Sequence, residues 1–195
     1  FIGRGPDVAI QYFNGELKNL RVWNSIRTQS EIDTFKNIYI PTLVENLLLN
    51  IPMNNLIIHG YKYSITDKPN TITTKNSIIG DNLPTFYSDY TSFDGTNDYF
   101  EIPANIAPQL ANSPFTIEFW IKIPSDFDGQ EYIYSQRAGD GLHGKTLNIY
   151  IYKYASNHST EPGNFAFGIQ FYDGDTGFIL TENIYERWMH VALIH

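Results

Sequence analysis

Carboxylates stand at alternate positions beside glycine in two stretches of this chain. The first stretch is DFDGQE, with Asp126, Asp128 and Glu131, and the second is YDGDTG, with Asp173 and Asp175. Calcium takes about six to eight oxygen ligands at roughly 2.3 to 2.6 Å, so these carboxylates are candidate calcium ligands. Neither stretch follows the complete EF-hand pattern, and Asp-Gly pairs also form ordinary turns. Both interpretations stay open at this point.

A single carboxylate, Glu118, stands on the polar side of the strand-like stretch FTIEFWIKI. Hydrolysis of a glycosidic bond needs two facing carboxylates, about 5 to 5.5 Å apart for retention or about 6.5 to 9.5 Å for inversion. Trp120 and Lys122 occupy the neighbouring positions on the same side, so the pair is incomplete. We therefore expect Glu118 to be a solvated or hydrogen-bonded strand residue, and the chain not to be an enzyme.

Aromatic and amide side chains share the polar sides of several strand-like stretches, and these are the ingredients of a carbohydrate site. Aromatic rings stack on the apolar faces of sugar rings, and polar groups bond the hydroxyls. Ala166 and Gly168 are expected to leave a shallow groove between taller residues. Alternatively, the aromatics form cross-strand pairs covered by loops or by a neighbouring subunit. The candidates are Glu118, Trp120, Asn148, Tyr150, Tyr152, Gln170, Tyr172 and Trp188.

Alternation of apolar and polar residues predicts the strands that position these side chains, because successive residues of a strand point to opposite faces. It is clear in residues 115–123, 146–154, 165–172 and 188–195. Clusters of Gly, Asp, Asn and Pro between these stretches predict turns. Residues 27–38 contain a helical signal, with Thr28 or Ser30 as the cap and Ile32 and Phe35 on one side. The fold class is therefore all-β, an antiparallel sandwich with one short peripheral helix.

Composition limits the partners and the environment. The net charge of -8 and the pI near 5.0 argue against nucleic acid as a partner. No apolar run reaches the roughly 18 residues of a membrane span, so membrane insertion is not expected. The chain begins at Phe1, with no initiator Met and no basic-then-apolar leader, and we expect it to be a piece of a longer or processed polypeptide.

Several motifs together resemble one known family. FDGTNDYFEIP (93–103), FTIEFWIKI and WMHVALIH follow one another as in laminin-G-like domains of the concanavalin A-like lectin and glucanase superfamily. FIGRGPDVAIQYFNGELKNLRVWNSIRTQSEI, at the start of the chain, is similar to the closing segment of that family. The resemblance implies a jelly-roll sandwich and, in many relatives, bound calcium. Family members often carry an acidic residue where Asn19 stands, and laminarinase-type relatives carry an E-x-D-x-x-E pattern where this chain has Glu118 alone.

The order of these motifs predicts the domain organisation. Residues 1–40 resemble the C-terminal segment of one module, and residues 41–195 resemble the next module without its last strands. An incomplete sandwich would leave strand edges unpaired, so we expect it to be completed. Residues 1–40 of the same chain, the same segment of a neighbouring copy, or further sequence in a tandem array could complete it.

These observations predict a non-enzymatic structural or adhesive module of a repetitive extracellular or virion-surface fibre protein, with glycan binding as an added role. Its expected partners are further copies, neighbouring modules of the same protein, and glycans. The alternative is a lectin-like carbohydrate-binding module that is accessory to a glycoside hydrolase. In either case calcium is the cofactor that the resemblance suggests.

Overall fold

The structure is a computed structural model of the 195-residue chain. It describes residues 1–5, 11–38, 40, 44–53, 62–65, 68–71, 73–76, 84–101, 110, 114–137, 146–153, 165–171, 174–180 and 184–195. The helix and strands of this part of the chain are β1 (Asn14–Trp23), α1 (Gln29–Phe35), β2 (Leu47–Ile51), β3 (Lys62–Ile65), β4 (Lys68–Thr71), β5 (Thr73–Asn76), β6 (Thr85–Phe86), β7 (Thr91–Asp94), β8 (Asp98–Glu101), β9 (Thr116–Lys122), β10 (Gln130–Arg137), β11 (Thr146–Lys153), β12 (Phe165–Phe171), β13 (Gly174–Leu180) and β14 (Met189–Ile194). For β3, β4, β5 and β13 only the backbone is described.

The strands form antiparallel sheets. Sheet 1 has the order β14-β9-β1-β7-β6, and β2 also pairs with β1. Sheet 2 has the order β10-β11-β12-β13, and β8, which pairs with β5, joins it through residues near the N-terminus. The remaining pair is the hairpin β3-β4. The prediction of an all-β, antiparallel protein is confirmed.

The first 23 residues contribute to both sheets. Ile2 pairs with Phe100 of β8 on one side and with Tyr134 of β10 on the other. The Gly3 amide donates to the Ile133 carbonyl at 2.9 Å, which fixes this segment against β10. β1 lies inside sheet 1, between β9 on one side and β2 and β7 on the other. Residues 1–5 and 11–23 therefore contribute to the two sheets within the same chain, while the division into two modules at residue 40 stays a prediction.

The inner faces of the two sheets share one hydrophobic core. Phe119 of β9 meets Phe167 of β12 across the sheets, with ring centroids 6.4 Å apart in an edge-to-face arrangement. Among the residues that the alternation places on the inner faces, those whose side chains are described are buried or packed against this core, and the side chain of Phe171 lies outside the described part of the structure. The described ones are Phe115, Ile117, Phe119, Ile121, Ile123, Leu147, Ile149, Ile151, Phe165, Phe167, Ile169, Met189, Val191 and Leu193.

Helix α1 lies against sheet 1 on the side away from this core. Thr28 is its N-cap: the Thr28 side chain accepts from the Glu31 amide, and the Glu31 carboxylate accepts from the Thr28 amide. This reciprocal capping box satisfies amides that the first turn would leave without partners. The helix and its Thr28 cap are confirmed. In the described part of the chain, no helix is long and apolar enough to span a membrane.

A bulge at Asn19 divides the outer face of sheet 1. The pairing of β1 with β9 shifts register between Lys18 and Arg21. Asn19 has a φ of 52°, a left-handed conformation that asparagine adopts more readily than most residues, and its amide donates to the Pro52 carbonyl at 3.2 Å. Lys18 pairs with Trp120 before the bulge, and Arg21 pairs with Glu118 after it. The Lys18–Trp120 pair and the Arg21–Glu118 pair therefore lie on opposite sides of the bulge and have different surroundings.

Candidate functional site

The candidate glycan-binding residues do not form one surface. Glu118, Trp120 and Trp188 belong to the outer face of sheet 1. The other described candidates belong to sheet 2 and are Asn148, Tyr150, Tyr152 and Gln170. Tyr172 lies outside the described residues.

Glu118 is buried in a polar cluster beneath the α1 segment. Its Oε1 accepts a hydrogen bond from Trp23 Nε1 at 2.9 Å and lies 3.5 Å from Arg21 Nη1. Its Oε2 lies 3.4 Å from His190 Nε2. Arg21 in turn donates to the Phe35 carbonyl at 2.7 Å, so the cluster also holds the C-terminal end of α1.

The environment of Glu118 favours its charged form. Burial by itself would raise the pKa of Glu118, but the close His190 imidazole, the Arg21 charge and the hydrogen bond from Trp23 outweigh it, and the pKa lies below its usual value. Glu118 is 0% exposed and Arg21 is 1% exposed. Glu118 is therefore hydrogen-bonded as expected but not solvated, because α1 covers it, and it does not face a surface where a sugar could bind.

Trp120 fastens the end of α1 to sheet 1. Its Nε1 donates to the Lys36 carbonyl at 2.8 Å. Its ring lies edge-on to His190, with centroids 5.2 Å apart, and the Lys18 ammonium lies 5.5 Å from the ring centroid. These contacts cover part of the Trp120 side chain. The rest of it is accessible to solvent, since Trp120 is half-buried.

A row of tyrosines crosses the outer face of sheet 2. Tyr132 of β10 stands opposite Tyr150 of β11, with ring centroids 5.5 Å apart, and Tyr152 follows at 5.8 Å from Tyr150. Tyr132 and Tyr152 are half-buried, while Tyr150 in the middle is 9% exposed. We call this surface the tyrosine face; it consists of Gln130, Tyr132, Asn148, Tyr150, Tyr152 and Gln170.

The space above Gly168 is filled. Gly168 of β12 stands opposite Tyr150, and a Cβ atom added to Gly168 would overlap the Tyr150 ring. The expectation of a shallow groove at Ala166 and Gly168 is therefore wrong at Gly168, because the neighbouring ring lies across it. Glycine is required beneath the Tyr150 ring, and the planes of the neighbouring Tyr132 and Tyr152 rings are tilted from it by 50° and 39°.

Amide groups border the tyrosine face. Asn148 Nδ2 donates to Gln170 Oε1 at 2.7 Å. Asn148 is 1% exposed, and its Oδ1 has no hydrogen-bond partner among the described residues. Gln130 is exposed at the other end, where its Nε2 lies 3.3 Å from the Tyr132 hydroxyl. The groups of this face that a sugar can contact are therefore Gln130 and the half-buried Tyr132, Tyr152 and Gln170. Asn148 is as buried as Glu118, and its role here is to position Gln170.

The candidate calcium ligands are only partly described. Asp126 and Asp128 are exposed, whereas Glu131 is half-buried and accepts a hydrogen bond from the Asn14 amide at 2.7 Å. Asp173 lies outside the described residues, and for Asp175, in β13, only the backbone is described. Within the described ranges, no three or more acidic or histidine side chains converge on a point that could hold a metal ion. Calcium binding stays a prediction.

Glu131 should make stability depend on pH. Burial raises its pKa to about 7 from 4.5, against the hydrogen bond from Asn14 and with a further contribution from Asp126. Because the folded form binds the proton more tightly, stability falls as pH rises from about 4.5 to about 7. Urea midpoints at pH 5 and pH 8 should differ more for the wild type than for Glu131→Gln, which keeps an acceptor for Asn14.

The difference in pH dependence between the wild type and Glu131→Gln reports on Glu131, because the other titrating groups are present in both proteins. One of them in the described part of the chain is Asp98, whose pKa is raised to about 6 by burial and the Asp94 charge. An equal pH dependence in the wild type and Glu131→Gln would contradict the assignment.

Two aromatic groups near these sites were not among the sequence candidates. Tyr132 completes the tyrosine face, and the stretch QEYIYSQR of β10 has the composition of a strand that could have suggested it. Tyr87 and Tyr90 flank the short turn between β6 and β7 on sheet 1. In the sequence, the stretch YSDY at residues 87–90 indicates only a turn, so it does not predict that the two tyrosines form a binding surface.

Fold and sites together define an all-β protein of antiparallel sheets with one shared core and a tyrosine-rich outer face. A comparison of the chain with protein-family models, with curated protein sequences and with solved structures found no match.

Proposed function

We propose that this chain is a non-enzymatic, adhesive β-sandwich module that binds glycans through its tyrosine face. In this proposal the fold is a jelly roll of laminin-G-like type. The module belongs to a repetitive protein outside the cell or on a particle surface, such as a virion or cell-surface fibre. The motifs quoted above, from FIGRG to WMHVALIH, support the family assignment.

The row of tyrosine rings carries the binding proposal. Tyr132, Tyr150 and Tyr152 lie at successive spacings of 5.5 and 5.8 Å, and Gln130 and Gln170 border them, with Gln170 held by the buried Asn148. A ring face adds binding energy by stacking on the C–H groups of a pyranose, and amides exchange hydrogen bonds with its hydroxyls. A row of this kind suits a sugar chain better than a single monosaccharide.

The state of Glu118 supports the non-enzymatic part of the proposal. Glu118 is the single carboxylate of β9, it is 0% exposed, and its charge is matched by Arg21. A glycosidase acid or nucleophile must touch the substrate, so a carboxylate used as a buried counter-ion does not suit that task. The alternative of an accessory module of a hydrolase would use the same tyrosine face.

An apolar end of sheet 1 supports contact with further copies or neighbouring modules. Ile26 is 60% exposed and Ile194 is 49% exposed. Both lie next to Thr116, which pairs with Ile194 and bonds the backbone on either side of Ile26. Burying such side chains against a partner would be favourable. Sedimentation should show self-association that Ile26→Asp weakens; identical profiles for the two proteins would remove this part of the proposal.

A glycan array tests the binding proposal, with and without EDTA to reveal any need for calcium. Tyr152→Ala should weaken binding to the responding glycans at least tenfold, which corresponds to about 1.4 kcal/mol and fits the loss of one stacked ring. Tyr152→Phe is the matched control, because it keeps the ring, and it should stay within about threefold of the wild type. Absence of binding to any glycan, or equal binding by Tyr152→Ala, would refute the proposal.

A further inference from the structure

A second cluster of rings lies on the outer face of sheet 1, beyond the end of α1. Tyr87 and Tyr90 flank the turn between β6 and β7, Trp188 precedes β14, and Lys18 lies on β1 between them. We call these four residues the aromatic corner. They come from segments distant in sequence, and the pairing of sheet 1 brings them together.

The rings of the aromatic corner contact one another directly. Tyr87 and Tyr90 are stacked, with centroids 4.4 Å apart and planes within 15°. Tyr90 meets Trp188 edge-on at 5.6 Å, and the Lys18 ammonium lies 4.2 Å from the Trp188 ring centroid. Tyr87 is 45% exposed, so the outer end of this stack faces solvent. Contacts among neighbouring rings hold them in place, which lowers the entropy lost when a ligand binds.

Charged groups lie directly beside the rings. Lys122 Nζ lies 3.3 Å from Glu16 Oε1 and 3.6 Å from Glu186 Oε2, and these side chains are partly exposed. Glu16 pairs with Lys122 across the strands next to the Lys18–Trp120 pair. The corner therefore offers ring surfaces with donors and acceptors of both signs. A dry protein interface would prefer a continuous apolar centre, whereas a ligand rich in hydroxyls can bond to both kinds of charge.

We propose that the aromatic corner is a second glycan-binding site, and that one module therefore bridges two glycan chains. This inference rests on the proposed function of the tyrosine face. The tyrosine face is the outer surface of sheet 2, and the corner is on the outer surface of sheet 1, while the inner surfaces of both sheets form the shared core. The two sites face away from each other, so a single short oligosaccharide cannot occupy both. The consequence is cross-linking by a single protein molecule.

Agglutination of beads coated with mannan, hyaluronan or β-glucan tests the inference. The wild type should agglutinate the beads that it binds. Tyr87→Ala and Trp188→Ala should still bind these beads through the tyrosine face, but their agglutination titre should fall at least tenfold. Tyr87 is the more exposed of the two rings, so Tyr87→Ala is the variant less prone to misfold. Tyr87→Phe keeps the ring and is the control that should agglutinate as the wild type does.

The outcomes separate this inference from the proposed function. If the wild type binds beads without agglutinating them, or if both alanine variants agglutinate as the wild type does, the second site is refuted and the tyrosine face stands. A dimer that bridges the beads through its two tyrosine faces would make both alanine variants agglutinate as the wild type does. If the wild type binds no beads and no array glycan, both proposals fail together.

Discussion

Glu118→Gln should lower the free energy of unfolding by about 3 to 5 kcal/mol, the usual consequence of removing one partner of a buried ion pair. Arg21 and Glu118 are 1% and 0% exposed, so the Arg21 cation would stay buried without its counter-ion. The bond from Trp23 and the contact with His190 would also change. Urea unfolding at neutral pH measures the effect.

Two variants serve as controls for Glu118→Gln. Glu16→Gln removes a partly exposed partner of Lys122 and should cost less than about 1 kcal/mol. The double variant Arg21→Met with Glu118→Leu should be more stable than Glu118→Gln, because replacing both charges by apolar groups removes the unpaired cation. If Glu118→Gln unfolds within about 1 kcal/mol of the wild type, Arg21 and Glu118 do not depend on each other in the way described.

Gly3→Ala should lower the free energy of unfolding by about 2 to 5 kcal/mol, the sum of a left-handed backbone strain and an overpacked core. Gly3 has a φ of 86°, and an added Cβ atom would lie 2.6 Å from Phe93 Cε1. Phe93 is 2% exposed and packs edge-to-face on Phe13 and Phe100, so it has little room to move. The loss would indicate that Gly3 is packed in the hydrophobic core against Phe93.

Gly129→Ala is the matched control for Gly3→Ala. Gly129 has a φ of 93°, close to that of Gly3, but nothing lies within 4 Å of an added Cβ atom. Gly129→Ala should therefore lower the free energy of unfolding only by the cost of the left-handed backbone, about 1 to 2 kcal/mol. Equal losses in the two variants, measured by urea unfolding, would mean that Gly3 is not packed against Phe93.

The regular parts of the fold are predictable from the sequence because they depend on local patterns. Alternation in FTIEFWIKI places Phe119 inside and Trp120 outside, as observed. The capping box of Thr28 and Glu31 is likewise a local pattern, with its two residues three positions apart. In both cases neighbours in the chain determine the geometry.

The environment of the outer-face residues is not local, and the sequence does not reveal it. Glu118 is buried where α1, whose residues are more than 80 positions away, packs on sheet 1, and the pairing of β1 with β9 places Arg21 beside it. Tyr132 was missed for a different reason: β10 has an irregularity between Tyr132 and Tyr134, where Ile133 and Tyr134 are both buried, so simple alternation fails. The direction in which the Tyr150 ring points over Gly168 also depends on side-chain packing, and the alternation of apolar and polar residues does not encode that packing.

Mapping of a bound glycan by nuclear magnetic resonance tests the central claim most directly. The labelled protein would be titrated with soluble mannan, hyaluronan or β-glucan oligosaccharides and with any array-positive glycan. We predict that the largest shift changes fall on the side-chain amides of Gln130 and Gln170 and on the backbones of Tyr132 and Tyr152. Changes confined to residues outside the tyrosine face, such as Ile26 and Ile194, or no changes with any of these glycans, would contradict it.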